Sequence, residues 1–367
     1  MTIRLGIVGC GRVFAGPYMA LIERLQGQGR AEVTAVCDTD PESRRAAAER
    51  LGLDPSIADF RAVVEADDID LVCVLTSMRP HGRIARAALE AGKHVLVEKP
   101  LATTLEEAEE LLMAAEASPG ILVCAPHILL SPTYCAIHRR VAAGQIGRIL
   151  SARARYGWAG PWWGEWYYRP GGGALFDLGI YNITSLCGLI GPARRVTAMT
   201  GVVIPERVVD GRLIRVEADD TAHVLIDFGE NVFAVVTTGF TMQRYRSPAI
   251  ELYGSEGTLQ LLGDDWAPEG YELWRNDVGA WELFPDEAPA WPWTEGLRHL
   301  VECIETAAPP ITRPEHAFHA LEIILAAQAA GTDGRAREIS SSFPAPIYGE
   351  MLQEREPAHH VHDPRSH

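Results

Sequence analysis

Two glycines and an aspartate near the start of the sequence have the spacing of a dinucleotide-binding turn. Gly9-Cys10-Gly11 directly follows a predicted strand, Ile3–Val8, and precedes a predicted helix. Glycines at such a turn let the backbone approach a pyrophosphate held at the N-terminus of the helix. Asp38 ends the next predicted strand, where a carboxylate can accept hydrogen bonds from the ribose hydroxyls of an adenosine. The combination predicts binding of a nicotinamide dinucleotide.

The residues around this turn indicate which dinucleotide is bound. Arg12 and Val13, at the start of the helix, are further candidate cofactor-binding residues. Asp38 would repel a 2′-phosphate and therefore favours NAD, although Arg44 and Arg45 lie close enough in sequence to leave NADP open.

Two details of the turn leave alternatives open. The third glycine of the usual pattern is replaced by Phe14, which predicts a shifted helix start rather than a loss of binding, because that position serves helix–strand packing. Asp38 has a second interpretation as a capping or turn residue before Pro41.

Lysine is rare in this sequence, and one of its two occurrences follows a predicted strand. Of 33 basic residues, only Lys93 and Lys99 are lysines, a skew that nucleotide bias in the genome explains for the most part. Glu98-Lys99-Pro100 follows the predicted strand His94–Val97, so Lys99 lies at the C-terminal edge of the sheet, where α/β domains bind ligands. A compact, titratable ammonium can exchange a proton there, which arginine cannot.

The elements that must position these residues follow two patterns. From residue 3 to 125, short apolar strands alternate with amphipathic helices, which predicts an N-terminal Rossmann domain with a doubly wound parallel sheet over 1–125. From 126 to 348, long alternating strands and a few helices predict an α+β domain with a large, mostly antiparallel sheet. Residues 349–367 are predicted to be a polar tail containing histidine. The predicted fold class is α/β followed by α+β.

Charge and composition exclude several classes of protein. The net charge of −16 argues against nucleic acid or an anionic membrane as a partner. No apolar stretch is long enough to span a bilayer, and no secretory signal is recognisable at the N-terminus, so a cytoplasmic location is expected. Seven scattered cysteines without a C-x-x-C pair predict reduced thiols and no metal site.

Together these motifs resemble the Gfo/Idh/MocA oxidoreductases, the family of glucose–fructose oxidoreductase and inositol dehydrogenase. The resemblance extends over nearly the whole chain, through the glycine turn, the Glu-Lys-Pro motif and Gly171–Tyr181. It implies an NAD(P)-dependent dehydrogenase or reductase acting on the CH–OH group of a small-molecule sugar, cyclitol or glycoside. It also implies that the large sheet of the domain over 126–348 is open, and that this domain serves substrate binding and oligomerisation, giving a homo-oligomer, either dimer or tetramer. Motif by motif, it adds the candidate cofactor-binding residues Thr76, Ser77, His81, Glu98 and Lys99. For His81 a capping or packing role is the alternative.

The resemblance also implies catalytic roles for Lys99 and Asp177. Tyr181 stands where many members carry histidine, and in this it resembles the branch with glucose–fructose oxidoreductase, dihydrodiol dehydrogenase and some sugar dehydrogenases. Asp177 and Tyr181 are four residues apart on a predicted helix and share a face. Free tyrosine has a pKa near ~10, and a nearby ammonium lowers it.

We therefore predict that Tyr181 is the acid/base, that Lys99 tunes it, and that Asp177 orients Lys99 or the neighbouring hydroxyl. Lys99 as the direct base is the alternative assignment. Without the resemblance, Tyr181 would be interpreted as an ordinary helix tyrosine and Asp177 as a carboxylate favoured by the helix dipole.

Two further segments are candidates for substrate binding. The aromatic-rich segment from Tyr156 to Pro170 predicts stacking on a sugar or a ring aglycone, with Trp163 as a candidate contact and Glu165 and Arg169 as polar anchors. Its tryptophans could equally fill the core or a subunit contact. His127 is a candidate in a segment where relatives often carry Asn and Arg, so a substrate carboxylate or phosphate is disfavoured there.

Two rival functions fit the same motifs. One is a glycosidase-like enzyme that oxidises its substrate transiently and recycles a bound cofactor. The other is a non-enzymatic NAD-sensing regulator, since a fold does not by itself fix a function.

Overall fold

The computed structural model describes residues 2–55, 57–346, 348 and 360–362. Its helices are α1 (Met19–Gly27), α2 (Pro41–Leu51), α3 (Phe60–Val64), α4 (His81–Glu90), α5 (Leu105–Ala117), α6 (Pro132–Ala142), α7 (Ile180–Ile190), α8 (Gly296–Thr306) and α9 (Pro314–Asp333). Its strands are β1 (Ile3–Val8), β2 (Ala31–Cys37), β3 (Leu71–Val74), β4 (His94–Val97), β5 (Leu122–Cys124), β6 (Ile149–Gly157), β7 (Arg195–Gly201), β8 (Glu206–Val209), β9 (Arg212–Arg215), β10 (Thr221–Asp227), β11 (Phe233–Gly239), β12 (Ile250–Gly254), β13 (Gly257–Asp264), β14 (Ala267–Arg275), β15 (Ala280–Pro285), β16 (Arg337–Glu338) and β17 (His360–His362). Within these residues, no helix combines the length and the apolarity needed to cross a membrane.

The first structural unit contains a five-stranded parallel sheet. Its strand order is β2-β1-β3-β4-β5, with helices as the connections. Every residue of β3 is buried, which explains why parallel strands of this kind are continuously apolar in sequence. The predicted doubly wound α/β domain is confirmed, and its strands all present their carboxyl ends at one edge.

A late segment of the chain also belongs to this unit. The unit comprises Met1–His127 together with Thr294–Leu321, and α8 packs against α1, β4 and β5. Leu297, Leu300 and Val301 fill that contact side of α8 and are fully buried. The sequence analysis placed this segment in the second domain because it follows that domain along the chain. An amphipathic pattern shows that a helix covers a core, but not which core.

The second unit is built on a ten-stranded, mostly antiparallel sheet. The strand order is β16-β7-β10-β11-β6-β12-β13-β14-β15-β17, and only the β11–β6 pair within it is parallel. The α+β prediction is confirmed. Of the predicted tail, 349–359 and 363–367 lie outside the described residues, and the described part, β17, pairs with β15.

The faces of the large sheet differ in what covers them. Helix α7, buried along nearly its whole length, packs against β6. The opposite face exposes large apolar side chains on neighbouring strands: Met199, Leu225, Phe233 and Val235. A short hairpin, β8–β9, forms a separate two-stranded sheet.

Candidate active site

Glycine is needed at the two positions of the turn after β1 for different structural reasons. Gly9 has φ +101°, and a Cβ there would lie 2.5 Å from the carbonyl carbon of Leu75 and 2.6 Å from the nitrogen of Thr76. At Gly11, which is exposed, a Cβ would meet no described protein atom within 4 Å. Gly9 is therefore required for packing of the strand ends. Gly11 instead leaves open space beside the backbone, which fits the close approach of a dinucleotide pyrophosphate.

The helix after the turn starts without the predicted shift. It begins at Arg12 and Val13 and then widens into a π-helical turn, Phe14–Tyr18, before α1. Phe14 is almost completely buried. The extra residue in this turn, rather than a later start, accommodates the large side chain, and π turns of this kind occur frequently at functional sites.

Asp38 fastens the end of β2 to the glycine turn. Its Oδ2 accepts a hydrogen bond from the Cys10 backbone N–H at 2.7 Å, and its Oδ1 accepts one from the Asp40 N–H at 2.8 Å. The cap of α2 is Asp40, which accepts from the Ser43 N–H, so the capping interpretation of Asp38 is wrong, and the turn interpretation describes only part of its contacts. A carboxylate offers about four acceptor positions, so two remain for ribose hydroxyls.

His81 joins the loops that follow β3 and β4. It is fully buried; its Nδ1 lies 2.8 Å from the Pro100 carbonyl oxygen and its Nε2 lies 3.1 Å from that of Thr76. Burial lowers the pKa of the imidazole. Both ring nitrogens face backbone carbonyl oxygens, which supports the packing alternative for His81, and its role in cofactor binding stays a prediction. Thr76 and Ser77 are half-buried on the same loop, where the Thr76 hydroxyl donates to the Ser77 carbonyl at 3.0 Å.

Glu98 links Lys99 to the π turn of the first helix. Its Oε1 accepts from the Tyr18 hydroxyl at 2.8 Å, and its Oε2 accepts from the Lys99 backbone N–H at 3.1 Å. Glu98 and Tyr18 are buried, whereas Lys99 is half-buried. The contacts therefore join the loop carrying Lys99 to the helix that follows the glycine turn. Sequence reasoning missed Tyr18, because nothing in the local pattern distinguishes it from a core tyrosine.

His127 packs against the start of α8. It is almost fully buried, and a Cβ at Gly296 would come within 2.1 Å of its ring, so the two residues pack closely. Among the described residues neither ring nitrogen has a hydrogen-bond partner. Burial, followed by the neighbouring His299, lowers the pKa of His127 to about 3 and keeps the ring neutral.

In the second unit, Asp177 and Tyr181 flank the junction of a wide turn with α7. Asp177 lies in a π-helical turn, Leu175–Gly179, and Tyr181 lies in the first turn of α7; both are about nine-tenths buried. Tyr156, on β6, meets the Tyr181 ring edge-to-face at 5.7 Å between centroids. Burial, and then the charge of Asp177, raise the pKa of Tyr156 and keep its hydroxyl protonated. Tyr156 is thus a further site residue that the sequence analysis named only within its aromatic segment.

The tip of the β13–β14 hairpin supports this helix. Asp265, fully buried, accepts hydrogen bonds from the Asn182 side-chain amide at 2.8 Å and from the Ser185 hydroxyl at 3.4 Å. Burial raises the pKa of Asp265 to about 7. The neighbouring Trp266 lies 6.5 Å from the Tyr156 ring. Sequence reasoning missed this support because more than 80 positions separate the two segments.

The remaining two substrate candidates lie in the loop after β6. Trp163 packs between Trp158 and Trp162, with ring centroids 5.7 and 5.2 Å away. Arg169 forms ion pairs with Glu165 and Glu217. Its guanidinium is therefore committed to carboxylates of its own unit and is not available as a strong anchor for a substrate anion.

Comparison with known proteins gives matches over both units. The model of the GFO/IDH/MocA oxidoreductase family, NAD-binding Rossmann fold, matches residues 3–125, and that of the GFO/IDH/MocA C-terminal domain matches residues 134–260. The 1,5-anhydro-D-fructose reductase of Ensifer adhaerens is 29% identical over 93% of this chain and 99% of its own length. The levoglucosan dehydrogenase of Pseudarthrobacter phenanthrenivorans is 29% identical over 61% of this chain and 63% of its own.

A solved structure of levoglucosan dehydrogenase in complex with NADH and levoglucosan has the same fold. It superposes with a TM-score of 0.81 at 22% identity and covers 92% of this chain and 100% of its own.

Fold and site together define an NAD-dependent oxidoreductase with a Rossmann domain and an α+β domain. The chain belongs to the GFO/IDH/MocA oxidoreductase family, to which both of its domains match. The predicted family, fold class, enzymatic function and cofactor are thereby confirmed.

Proposed function

We propose that the enzyme transfers hydride between NAD and a secondary hydroxyl, or the matching ketone, of a sugar, cyclitol or glycoside. The observation that carries the proposal is the group of Asp177, Tyr181 and Tyr156: the buried carboxylate and the buried Tyr181 phenol lie at the start of α7, and the Tyr156 phenol on β6 packs against Tyr181. Oxidation of an alcohol requires removal of its proton as hydride leaves, and a phenol–carboxylate group suits that task. The relatives named above act on carbohydrates by name.

The proposed roles of the individual residues follow from their chemistry. Tyr181 exchanges the hydroxyl proton, Lys99 provides the positive charge that favours its phenolate, and Asp177 orients Lys99 or a neighbouring hydroxyl. NAD supplies the hydride acceptor when it is bound. Trp163, Arg169 and His127 remain proposed contributors to the shape of the substrate site.

NAD is the proposed cofactor in preference to NADP. Arg44, the nearest candidate for a 2′-phosphate, donates to the Pro55 carbonyl at 2.6 Å and to the Asp38 carbonyl at 2.5 Å. Backbone acceptors therefore hold its guanidinium, while the Asp38 carboxylate remains as an obstacle to phosphate. Titration with NADH and NADPH tests this preference, and equal affinities would contradict it.

Rates with matched variants test the proposed roles. Sugars, cyclitols and glycosides are assayed with NAD by absorbance of NADH; Tyr181→Phe and Lys99→Arg are expected to lower kcat at least about a hundredfold while NAD binding persists. The controls are Tyr253→Phe, a half-buried tyrosine on β12, and Lys93→Arg, whose ammonium donates to two backbone carbonyls at 2.7 and 2.9 Å.

Near-wild-type turnover in Tyr181→Phe or Lys99→Arg would remove that residue from the mechanism. Release of an aglycone without net NADH formation would favour the cofactor-recycling alternative. We further propose a cytoplasmic homo-oligomer, supported by the uncovered apolar face of the large sheet.

A further inference from the structure

Four aromatic residues lie in the segment from Tyr156 to Trp163, which begins beside Tyr181. We define the aromatic shelf as Tyr156, Trp158, Trp163 and Trp162. The ring centroids of Tyr156 and Tyr181 are 5.7 Å apart, and Trp158 lies two residues after Tyr156. The ring centroid of Trp163 is 5.7 Å from that of Trp158 and 5.2 Å from that of Trp162. Tyr156 and Trp158 pack on the same core cluster around Tyr168 and Phe240. This shared core cluster holds the tryptophan group beside the Tyr156–Tyr181 pair.

The aromatic shelf packs on the protein core and is partly exposed to solvent. Tyr156, Trp158 and Trp163 are half-buried, and Trp162, at the far end, is 59% exposed. The backbone that carries Trp162 is fixed, because its carbonyl accepts from the Asp210 N–H at 2.9 Å and the Asp210 carboxylate accepts from the Gly164 N–H at 3.0 Å. A large ring held by an ordered backbone loses little entropy when it stacks on a ligand.

Charges beside the aromatic shelf select against an anionic ligand. Arg169 is paired with both Glu165 and Glu217, so this group carries a net charge of −1. A second guanidinium, that of Arg207, donates to the Ala159 and Phe240 carbonyls and pairs with Asp220. A phosphate-bearing substituent would therefore meet an excess of carboxylates beside two guanidiniums that are already paired, whereas a neutral ring would meet aromatic faces.

We propose that the aromatic shelf binds the second ring of a neutral glycoside, an aryl aglycone or a second sugar, while the first ring reacts at Tyr181. This inference rests on the proposed function, since it assigns the reacting ring to the same site. It narrows the substrate class from free sugars and nucleotide-linked sugars to glycosides with an uncharged ring substituent.

The test compares substituents on a constant sugar. Phenyl and methyl glycosides of a panel of hexoses and pentoses, together with UDP-glucose and dTDP-glucose, are assayed with NAD. We expect kcat/KM for phenyl glycosides to exceed that for the methyl glycosides about tenfold, the range that one stacked ring contributes. Trp162→Ala is expected to reduce this ratio at least about fivefold. Trp281→Ala, a half-buried tryptophan 5.9 Å from Trp274 on another part of the sheet, is the control and should leave the ratio unchanged.

A separate binding measurement keeps this inference distinct from the proposed function. Isothermal titration of the NADH-loaded enzyme with phenyl glycosides, methyl glycosides, UDP-glucose and dTDP-glucose reports the preference for a second ring whether or not hydride transfer occurs. Three results would contradict the proposed role of the aromatic shelf. They are a phenyl-to-methyl affinity ratio near one, an equal loss of this preference in Trp162→Ala and Trp281→Ala, and preferential binding of the nucleotide sugars. If phenyl glycosides bind preferentially but no compound yields NADH, the binding role of the aromatic shelf is supported and the proposed function is contradicted.

Discussion

The two glycines of the glycine turn serve different purposes: Gly9 is required by the fold, and Gly11 is explained by a ligand. Gly9 combines a left-handed backbone with van der Waals contact to the end of β3, so a side chain is excluded by the protein itself. Gly11 has neither restriction. A glycine with open space beside it, at the entrance to a helix, points to a ligand that needs the space.

Replacing each glycine with alanine should therefore have a different effect, on stability in one case and on NADH binding in the other. Gly9→Ala is expected to destabilise the first unit by about 3 kcal/mol or more, because left-handed strain adds to a backbone clash. Gly11→Ala is expected to keep the thermal midpoint but to weaken NADH binding at least about tenfold, because the methyl group occupies pyrophosphate space. Thermal unfolding and NADH titration measure the two effects. Wild-type NADH affinity in Gly11→Ala would show that the cofactor does not approach this residue.

At the scale of elements, buried polar groups tie together segments that are distant in the chain. His81 joins the ends of β3 and β4, Glu98 joins β4 to the first helix through Tyr18, and Asp265 joins a hairpin tip to α7 through Asn182. Each of these ties lies beside a proposed cofactor or substrate position. Elements are thereby held where their ends must present reactive groups, and losing one partner would leave the other buried and unsatisfied.

Asp265 gives this arrangement a measurable pH dependence. Its pKa is about 7 in the folded protein against 3.8 for the ordinary group, so the folded state holds a proton that the unfolded state loses between these values. Stability should therefore fall as pH rises from about 4 to 7, and one pKa unit corresponds to about 1.4 kcal/mol, or about 4 kcal/mol over the full shift.

Asp265→Asn should remove this component. The thermal midpoint of the variant relative to the wild type is expected to increase from pH 5 to pH 8, because Asn carries no proton to lose. Buried His127 and His299, whose pKa values are lowered to about 3 and about 4, act in the opposite direction in both proteins and cancel in the comparison. A constant difference between variant and wild type would contradict the assignment.

At the scale of the whole molecule, the large sheet has one face covered by helix and one face exposed. Leu225 and Val235 lie directly opposite each other on β10 and β11, and about two-fifths of each residue is exposed, beside Met199 at 80%. An exposed apolar patch of this kind indicates an interaction surface. A second copy of the same face would cover it with two-fold symmetry.

A charge pair on this face tests the proposed homo-oligomer. Leu225→Lys combined with Val235→Glu introduces opposite charges across the strand pair, which preserves the sheet but places charge in an apolar interface. Light scattering is expected to show an oligomer for the wild type and the 40.1 kDa monomer for the double variant. Met113→Glu, an exposed methionine on α5 of the first unit, serves as the control. A monomeric wild type, or a double variant that still assembles, would contradict the proposal.

The sequence by itself determined the elements and the reactive residue types. Helices Pro41–Leu51 and Leu105–Ala117 and strands Ile3–Val8 and His94–Val97 lie where periodicity and end signals predict them, since these signals depend on neighbours within a few residues. The glycine turn, Asp38 and the strand end at Lys99 were recognisable for the same reason.

Only the tertiary structure decided which distant groups meet. The Asp265–Asn182 bond, the Tyr18–Glu98 bond and the packing of α8 in the first unit join segments separated by about 80 to 280 positions. Strand order and register create these contacts, and a local pattern carries no information about either. The sequence therefore determined which chemistry is available, whereas the fold decided which residues position it, because positioning depends on contacts between segments far apart in the chain.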